Sequence, residues 1–181
     1  MEQTKREYDA VIKFCGDLFR NKLKDYGTAW RILRLSSVTD QIFIKANRIR
    51  SIEIKGKQKV DDDIRGEFIG IINYSIIALI QLELGVVGKP EMEHDSIFAM
   101  YRNFFDKAKK LMENKNHDYG EAWRLMRISS YTDLILMKLN RIKQIEDNLG
   151  KTIVSEGIDA SYYDIVNYAV FAMIKLDSDK E

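Results

Sequence analysis

The sequence predicts an all-α protein: two tandem copies of a three-helix unit, packed as six helices into one pseudo-twofold bundle. Two observations predict this fold. One is a long internal repeat, and the other is the recurrence of apolar residues at helical intervals within each copy. Because each three-helix unit alone would leave much of its apolar third helix exposed, we expect the two copies to pack on each other as an intramolecular pseudo-dimer.

The internal repeat is the most specific feature of the 181-residue chain. Segments beginning at Lys22 and Lys115 align without a gap and share 19 identities in 32 positions, KLKDYGTAWRILRLSSVTDQIFIKANRIRSIE against KNHDYGEAWRLMRISSYTDLILMKLNRIKQIE. After a one-residue shift farther along, the pair Asn-Tyr recurs at 73–74 and 167–168. We therefore predict a first repeat over residues 1–84, a linker over 85–94 and a second repeat over 95–181.

Each repeat is predicted to hold three helices. The first helix carries apolar residues at i, i+3, i+4 and i+7 and runs to an Asp-Tyr-Gly turn. The second helices are predicted from about Trp30 to Ile54 and from about Trp123 to Leu149. The third are predicted from about Asp62 to Leu84 and from about Glu156 to Leu176. These third helices are apolar on most faces, which is typical of the centre of a bundle.

Composition excludes several classes of protein. Lys and Arg number 29 against 28 Asp and Glu, a net charge of +1 that gives no indication of general nucleic-acid binding. No uninterrupted apolar run reaches the roughly 18 residues of a membrane span. A lone cysteine, Cys15, leaves no intrachain disulfide and fits a reducing compartment. We expect a cytoplasmic protein that is not bound to a membrane.

Polar residues within the third helix of the second repeat are candidates for function. On a helical wheel Glu156, Asp159, Asp164 and Asn167 fall within about 140° of one another. A buried carboxylate is costly unless it is paired or binds a metal, and Mg²⁺ prefers carboxylate and amide oxygens. These four residues therefore predict a site for Mg²⁺ or Mn²⁺.

Basic residues on the predicted second helix leave two interpretations open. Lys138 and Arg141 share a face with apolar residues, and they answer either the carboxylates, as structural ion pairs, or a bound phosphate. In the first repeat the equivalent basic residues persist, but Arg65 replaces Asp159 and Gly70 replaces Asp164. This difference favours a functional site in the second repeat and a degenerate first repeat.

Two glycines in the third helix of the first repeat also have two interpretations. Gly66 and Gly70 each cost about 1 kcal/mol relative to Ala in a helix interior. They favour either close helix packing or room for a ligand.

The motifs of each copy resemble a known family. Both copies carry K-x-x-D-Y-G-x-x-W, and the second also carries K-L-x-R-I and an acidic segment ending D-x-x-N-Y. Together these motifs resemble nucleotide modification associated domain one, once per copy over nearly the whole chain. The family pattern has a Glu eight residues before its last Asp and a further Asp four before it. Glu156 and Asp164 fit this pattern, whereas Ala160 occupies the middle position with Asp159 beside it. The arrangement is also similar to MazG-type all-α nucleotide pyrophosphatases.

The resemblance implies a nucleotide or modified nucleotide as ligand and a Mg²⁺-dependent nucleoside triphosphate pyrophosphohydrolase as the activity. It implies catalytic, metal-binding roles for Glu156, Asp159 and Asp164, with Asn167 as a further oxygen ligand. The residues implied for substrate binding are Lys115, Lys138 and Arg141 for phosphates, Tyr119 and Trp123 for a base, and Asp118, Arg124 and Asn167. The alternative is a non-catalytic helical scaffold that binds a nucleotide or a protein and uses the same charges as structural ion pairs. A further homodimer stays open.

Overall fold

Helices make up almost all of the protein. The computed structural model describes residues 1–56, 63–90, 92–154 and 156–178, and within these it is 84% helical, without strands. The α-helices are α1 Glu2–Tyr26, α2 Leu35–Lys55, α3 Ile64–Leu84, α4 His94–Tyr119, α5 Ile128–Asp147 and α6 Ile158–Ser178. Two 3₁₀ helices, Ala29–Ile32 and Ala122–Leu125, precede α2 and α5. The all-α prediction is confirmed.

The second helix of each repeat begins later than the sequence predicted. Trp30 and Trp123 lie in the 3₁₀ helices, which are closed by short-range backbone bonds such as Leu33 N to Trp30 O at 3.0 Å. Leu33 and Arg34 are extended, with ψ of 129° and 152°. Because these extended residues separate each 3₁₀ helix from the α-helix that follows, a continuous helix from the tryptophan was a wrong prediction.

The third helices also begin later than predicted. Helix α6 begins at Ile158, so Glu156 lies in the segment before it and the helical wheel does not fix its direction. Its predicted counterpart Asp62 lies outside the described residues. The Asp-Tyr-Gly turns are confirmed: Gly27 and Gly120 have φ of 62° and 60°, in the left-handed region that favours glycine.

Helices α3 and α6 pack against each other at the centre of the bundle, as predicted for the two apolar helices. Helix α2 packs on α3, α5 packs on α6, and α2 also contacts α5. By length and composition α3 would suffice to cross a membrane, but 72% of its most apolar window is buried inside the bundle. Its position in the core accounts for that apolar composition.

Contacts between α2 and α5 occur in equivalent pairs. Thr39 Oγ1 donates to Glu146 Oε1 at 2.9 Å, and its counterpart Thr132 Oγ1 donates to Glu53 Oε1 at the same distance. Two ion pairs are related in the same way: Lys143 with Asp40 at 3.3 Å and Arg50 with Asp133 at 3.8 Å. Exchanging equivalent residues of the two repeats converts one contact of each pair into the other, which fits the pseudo-twofold arrangement predicted from the repeat.

Candidate functional site

Asp164 joins two lysines at the side of the second repeat. From α6 its Oδ1 accepts a hydrogen bond from Lys115 Nζ at the end of α4, at 2.6 Å, and its Oδ2 lies 2.7 Å from Lys138 Nζ of α5. The Asp164 side chain is only 18% exposed. Burial acts to raise its pKa, but the hydrogen bonds and charges of the two lysines outweigh burial and hold the pKa below its usual value. Asp164 is therefore ionised, with both oxygens engaged.

A cavity of about 610 Å³ opens beside this carboxylate, between α5, α6 and the segment that connects them. Asp164 and Glu156 line it together with Lys138, Arg141 and Lys151. The structure thus brings together four of the predicted site residues. Lys151 was missed because it lies in the connecting segment, where no helical period indicates which way a side chain points.

The four predicted metal ligands do not converge. Asp159 is exposed and lines a different cavity, next to Ile145 and Glu146. Asn167 is buried, where its Nδ2 donates to Ala108 O at 3.1 Å and its Oδ1 accepts from the Tyr8 hydroxyl at 2.7 Å. Across residues 1–56, 63–90, 92–154 and 156–178, no three His, Cys, Asp or Glu side chains are grouped to hold a metal. The residues present therefore do not fit a resident Mg²⁺ or Mn²⁺ in this arrangement.

Trp123 and Arg124 contribute to packing rather than to the cavity. The Trp123 ring is 6% exposed and stacks on Phe171, with centroids 4.3 Å apart and planes 10° from parallel. The Arg124 guanidinium lies 4.4 Å from the Trp123 ring centroid and binds Glu7 Oε2 of α1 at 2.5 Å. The predicted contacts of Trp123 and Arg124 with a substrate are thus replaced by contacts inside the protein.

The end of α4 supplies the remaining predicted residues. Asp118 and Tyr119 are 76% and 77% exposed and do not line the cavity. Lys115 is 57% exposed and meets the cavity only through Asp164. Although burial opposes it, the contact with Asp164 raises the pKa of Lys115. Of these three residues, only Lys115 takes part in the ion pairs of Asp164.

The first repeat has kept a carboxylate for its basic residues. Glu67 of α3, with a side chain 12% exposed, lies 3.6 Å from Lys45 Nζ and accepts a hydrogen bond from Arg48. The equivalent position in the second repeat is Ser161. Glu67 stands one helical turn before Gly70, so a comparison of aligned positions missed it. The first repeat therefore has one carboxylate beside its basic residues, and its description as degenerate stays a prediction.

The repeated segments match one family. The family model described as nucleotide modification associated domain 1 matches the chain twice, at residues 22–82 and 115–176. The two matches fit the tandem repeat predicted from the sequence. Neither the curated proteins nor the solved structures gave a match. The likeness to MazG-type pyrophosphatases stays a prediction.

Proposed function

Because the chain belongs to the nucleotide modification associated domain 1 family, we propose that it binds a nucleoside di- or triphosphate in the cavity of the second repeat. The observation that supports this proposal is the convergence of Lys138, Arg141 and Lys151 on one cavity. Its volume of about 610 Å³ lies within the usual range of sites for small ligands. Three cationic side chains match the several negative charges of a chain of phosphates better than they match the one charge of a carboxylate ligand.

The ion pairs of Asp164 with Lys115 and Lys138 affect how strongly a phosphate can bind. Lys138 and Lys115 hold the carboxylate in the free protein, and the same ammonium groups can donate to phosphate oxygens instead. Arg141 is exposed at the cavity and offers a planar pair of donors for bidentate contact with a phosphate. Asp164 therefore competes with an anionic ligand for its two lysines.

The predicted hydrolysis of a nucleotide is a separate question from its binding. Glu156 and Asp164 line the same cavity, but the two lysines occupy both oxygens of Asp164, and Asn167 is used in the core. The residues of this cavity therefore support no catalytic step through a metal. Metal-dependent pyrophosphohydrolase activity stays a prediction.

The Asp164→Asn variant distinguishes the two functions. Under the binding proposal, removing the competing charge frees Lys115 and Lys138, so metal-free affinity for the nucleotide rises by about tenfold, or 1.4 kcal/mol. The measurement is isothermal titration with a panel of ribo- and deoxyribonucleoside di- and triphosphates, with and without Mg²⁺, while pyrophosphate release is followed. Metal-dependent turnover that Asp164→Asn abolishes would favour the hydrolase instead.

A matched pair of lysines provides the control. Lys138→Met removes a donor from the cavity and is expected to weaken triphosphate binding by about tenfold or more. Lys45→Met removes the equivalent lysine from the first repeat and should leave triphosphate binding unchanged. Equal losses in the two variants, or no binding by the wild-type protein, would contradict the proposed site.

A further inference from the structure

The first repeat contains a cavity of its own, of about 460 Å³. It lies between the end of α1, the first 3₁₀ helix, α2 and α3. None of its lining residues lines the cavity of the second repeat. A ligand bound there would therefore be independent of the site proposed in the second repeat.

Replacements on α3 leave this space open. Gly70 stands where the second repeat has Asp164, and Gly66 stands where it has Ala160. Both glycines line the cavity. At Gly70 an added Cβ would lie 2.7 Å from Cδ and Cε of Lys45, so the side chain of this lysine crosses the position that Asp164 fills in the other repeat.

A third replacement, Ile77 in place of Phe171, leaves one face of the Trp30 indole without a stacked ring in the part of the chain that the structure describes. In the second repeat Phe171 stacks on Trp123, but the position equivalent to Phe171 is Ile77, which lines the cavity of the first repeat. Trp30 is half-buried and borders the same cavity. Among the described residues its ring contact is with Phe19, tilted by 48° at 6.4 Å between centroids. One wall of the cavity is therefore an indole without a parallel stacking partner.

Two lysines supply positive charge at this cavity. Lys22 and Lys45 are the equivalents of Lys115 and Lys138, and both line it. Glycine at position 70 removes the carboxylate that joins the two lysines in the second repeat. Lys45 lies 3.6 Å from Glu67, a carboxylate that also binds Arg48, and no carboxylate within the described ranges forms an ion pair with Lys22. The cavity thus combines a flat apolar wall with an excess of positive charge.

We propose that this cavity binds a nucleoside monophosphate, with the base against Trp30 and the phosphate between Lys22 and Lys45. An aromatic ring stacked on the indole would take the place that Phe171 has in the second repeat. A phosphate would act as the anion between the two lysines, as the Asp164 carboxylate does in the second repeat. Two ammonium groups suit one phosphate group, and the volume suits one small ligand. The two repeats have thus diverged: the second fills this place with its own side chains, and the first leaves it to a ligand.

Tryptophan fluorescence tests the proposal directly. The chain has two tryptophans, so Trp123→Phe leaves Trp30 as the sole reporter. Titration with the ribo- and deoxyribonucleoside 5′-monophosphates is expected to change its emission saturably for at least one of them. Adding Gly70→Asp restores the carboxylate of the second repeat and should weaken binding by about tenfold or more. Lys22→Met, at an exposed position that does not disturb the core, should weaken binding by a similar factor.

Lys13→Met is the control, because it changes an exposed lysine of α1 that lines neither cavity. It should leave the monophosphate affinity unchanged. No saturable change with any monophosphate, or the same affinity in Lys22→Met as in its parent, would overturn the proposal. Benzoate binding as tightly as the best monophosphate would overturn the assignment to nucleotides. Failure of the triphosphate site would appear separately, in Lys138→Met and Asp164→Asn.

Discussion

Tyr8 of the first repeat donates a hydrogen bond of 2.7 Å to Oδ1 of Asn167 in the second repeat. The equivalent bond runs in the opposite direction, from Tyr101 of the second repeat to Oδ1 of Asn73 in the first, also at 2.7 Å. Each asparagine also donates to a backbone carbonyl within its own repeat, Asn167 to Ala108 at 3.1 Å and Asn73 to Cys15 at 3.4 Å. Two buried amides therefore connect the first helix of each repeat with the third helices of both.

These bonds predict similar effects from two equivalent substitutions, one in each repeat. Tyr8→Phe leaves Asn167 Oδ1 buried without its donor, and Tyr101→Phe does the same to Asn73. Each variant is expected to lower the free energy of unfolding by about 1–3 kcal/mol, the cost of an unsatisfied buried polar group. Urea denaturation followed by circular dichroism measures the loss. Tyr119→Phe, at an exposed position, should change nothing, and a neutral Tyr8→Phe would contradict the account.

The role of Asn167 shows what the sequence could predict. Periodicity correctly placed the polar residue on one side of an apolar helix, and the repeat correctly paired it with Asn73. Periodicity cannot tell whether a polar side chain meets another helix or a ligand, because both lie on the same face. The hydrogen bond from Tyr8, 159 residues away, depends on how the two repeats pack.

Two carboxylates at the contact of α2 with α5 are expected to lower the stability of the protein at neutral pH. Burial raises the pKa of Glu53, outweighing the hydrogen bond from Thr132, and burial likewise raises that of Glu146. An acid with a raised folded-state pKa contributes stability below its unfolded pKa, and this stability is lost as the pH rises through the folded pKa. At neutral pH each ionised carboxylate therefore disfavours folding relative to a neutral side chain of the same shape.

Glu53→Gln keeps an oxygen for the Thr132 hydroxyl and removes the half-buried charge. We expect it to raise the melting temperature at pH 7 and to lose most of this advantage near pH 4, where the wild-type acid is protonated. Glu146→Gln should behave in the same way, because it receives the equivalent bond from Thr39. Thermal unfolding across this pH range makes the comparison. Glu113→Gln, changed outside this contact, is the control, and a Gln variant destabilised at pH 7 would contradict the argument.

The charged site was predicted only in part. Lys138 and Asp164 lie on regular helices, and the sequence correctly placed them where they meet. Glu156 and Lys151 lie in the segment between α5 and α6, where the helical period does not apply. Glu67 pairs with Lys45 from a position one helical turn before Gly70, so a comparison of aligned positions showed only a missing acid.

Asp164 predicts stability that depends on pH in the opposite sense to the two glutamates. Its folded pKa is lowered, so its contribution is present above the unfolded value, near 4, and is lost as the pH falls through the folded value. Asp164→Asn should therefore cost about 1–3 kcal/mol at pH 7, since it leaves the half-buried Lys138 without its charged partner. The difference from wild type should shrink toward pH 2. Denaturant titrations at both pH values test this, and a pH-independent difference would rule out the ion pair as its cause.

The unequal tryptophans predict opposite responses to reciprocal substitutions. Phe171→Ile removes the ring that stacks on Trp123, at a position 8% exposed, and should destabilise the protein by about 2 kcal/mol while shifting Trp123 emission to the red. Ile77→Phe adds the missing ring beside Trp30, where the cavity has room for it, and should shift Trp30 emission to the blue. Each shift is recorded with the other tryptophan changed to Phe, so that one indole reports. If Ile77→Phe left Trp30 emission unchanged, the absence of a phenylalanine ring at position 77 would not explain the open cavity. A blue shift together with weaker monophosphate binding would show that isoleucine at this position keeps open the site proposed in the first repeat.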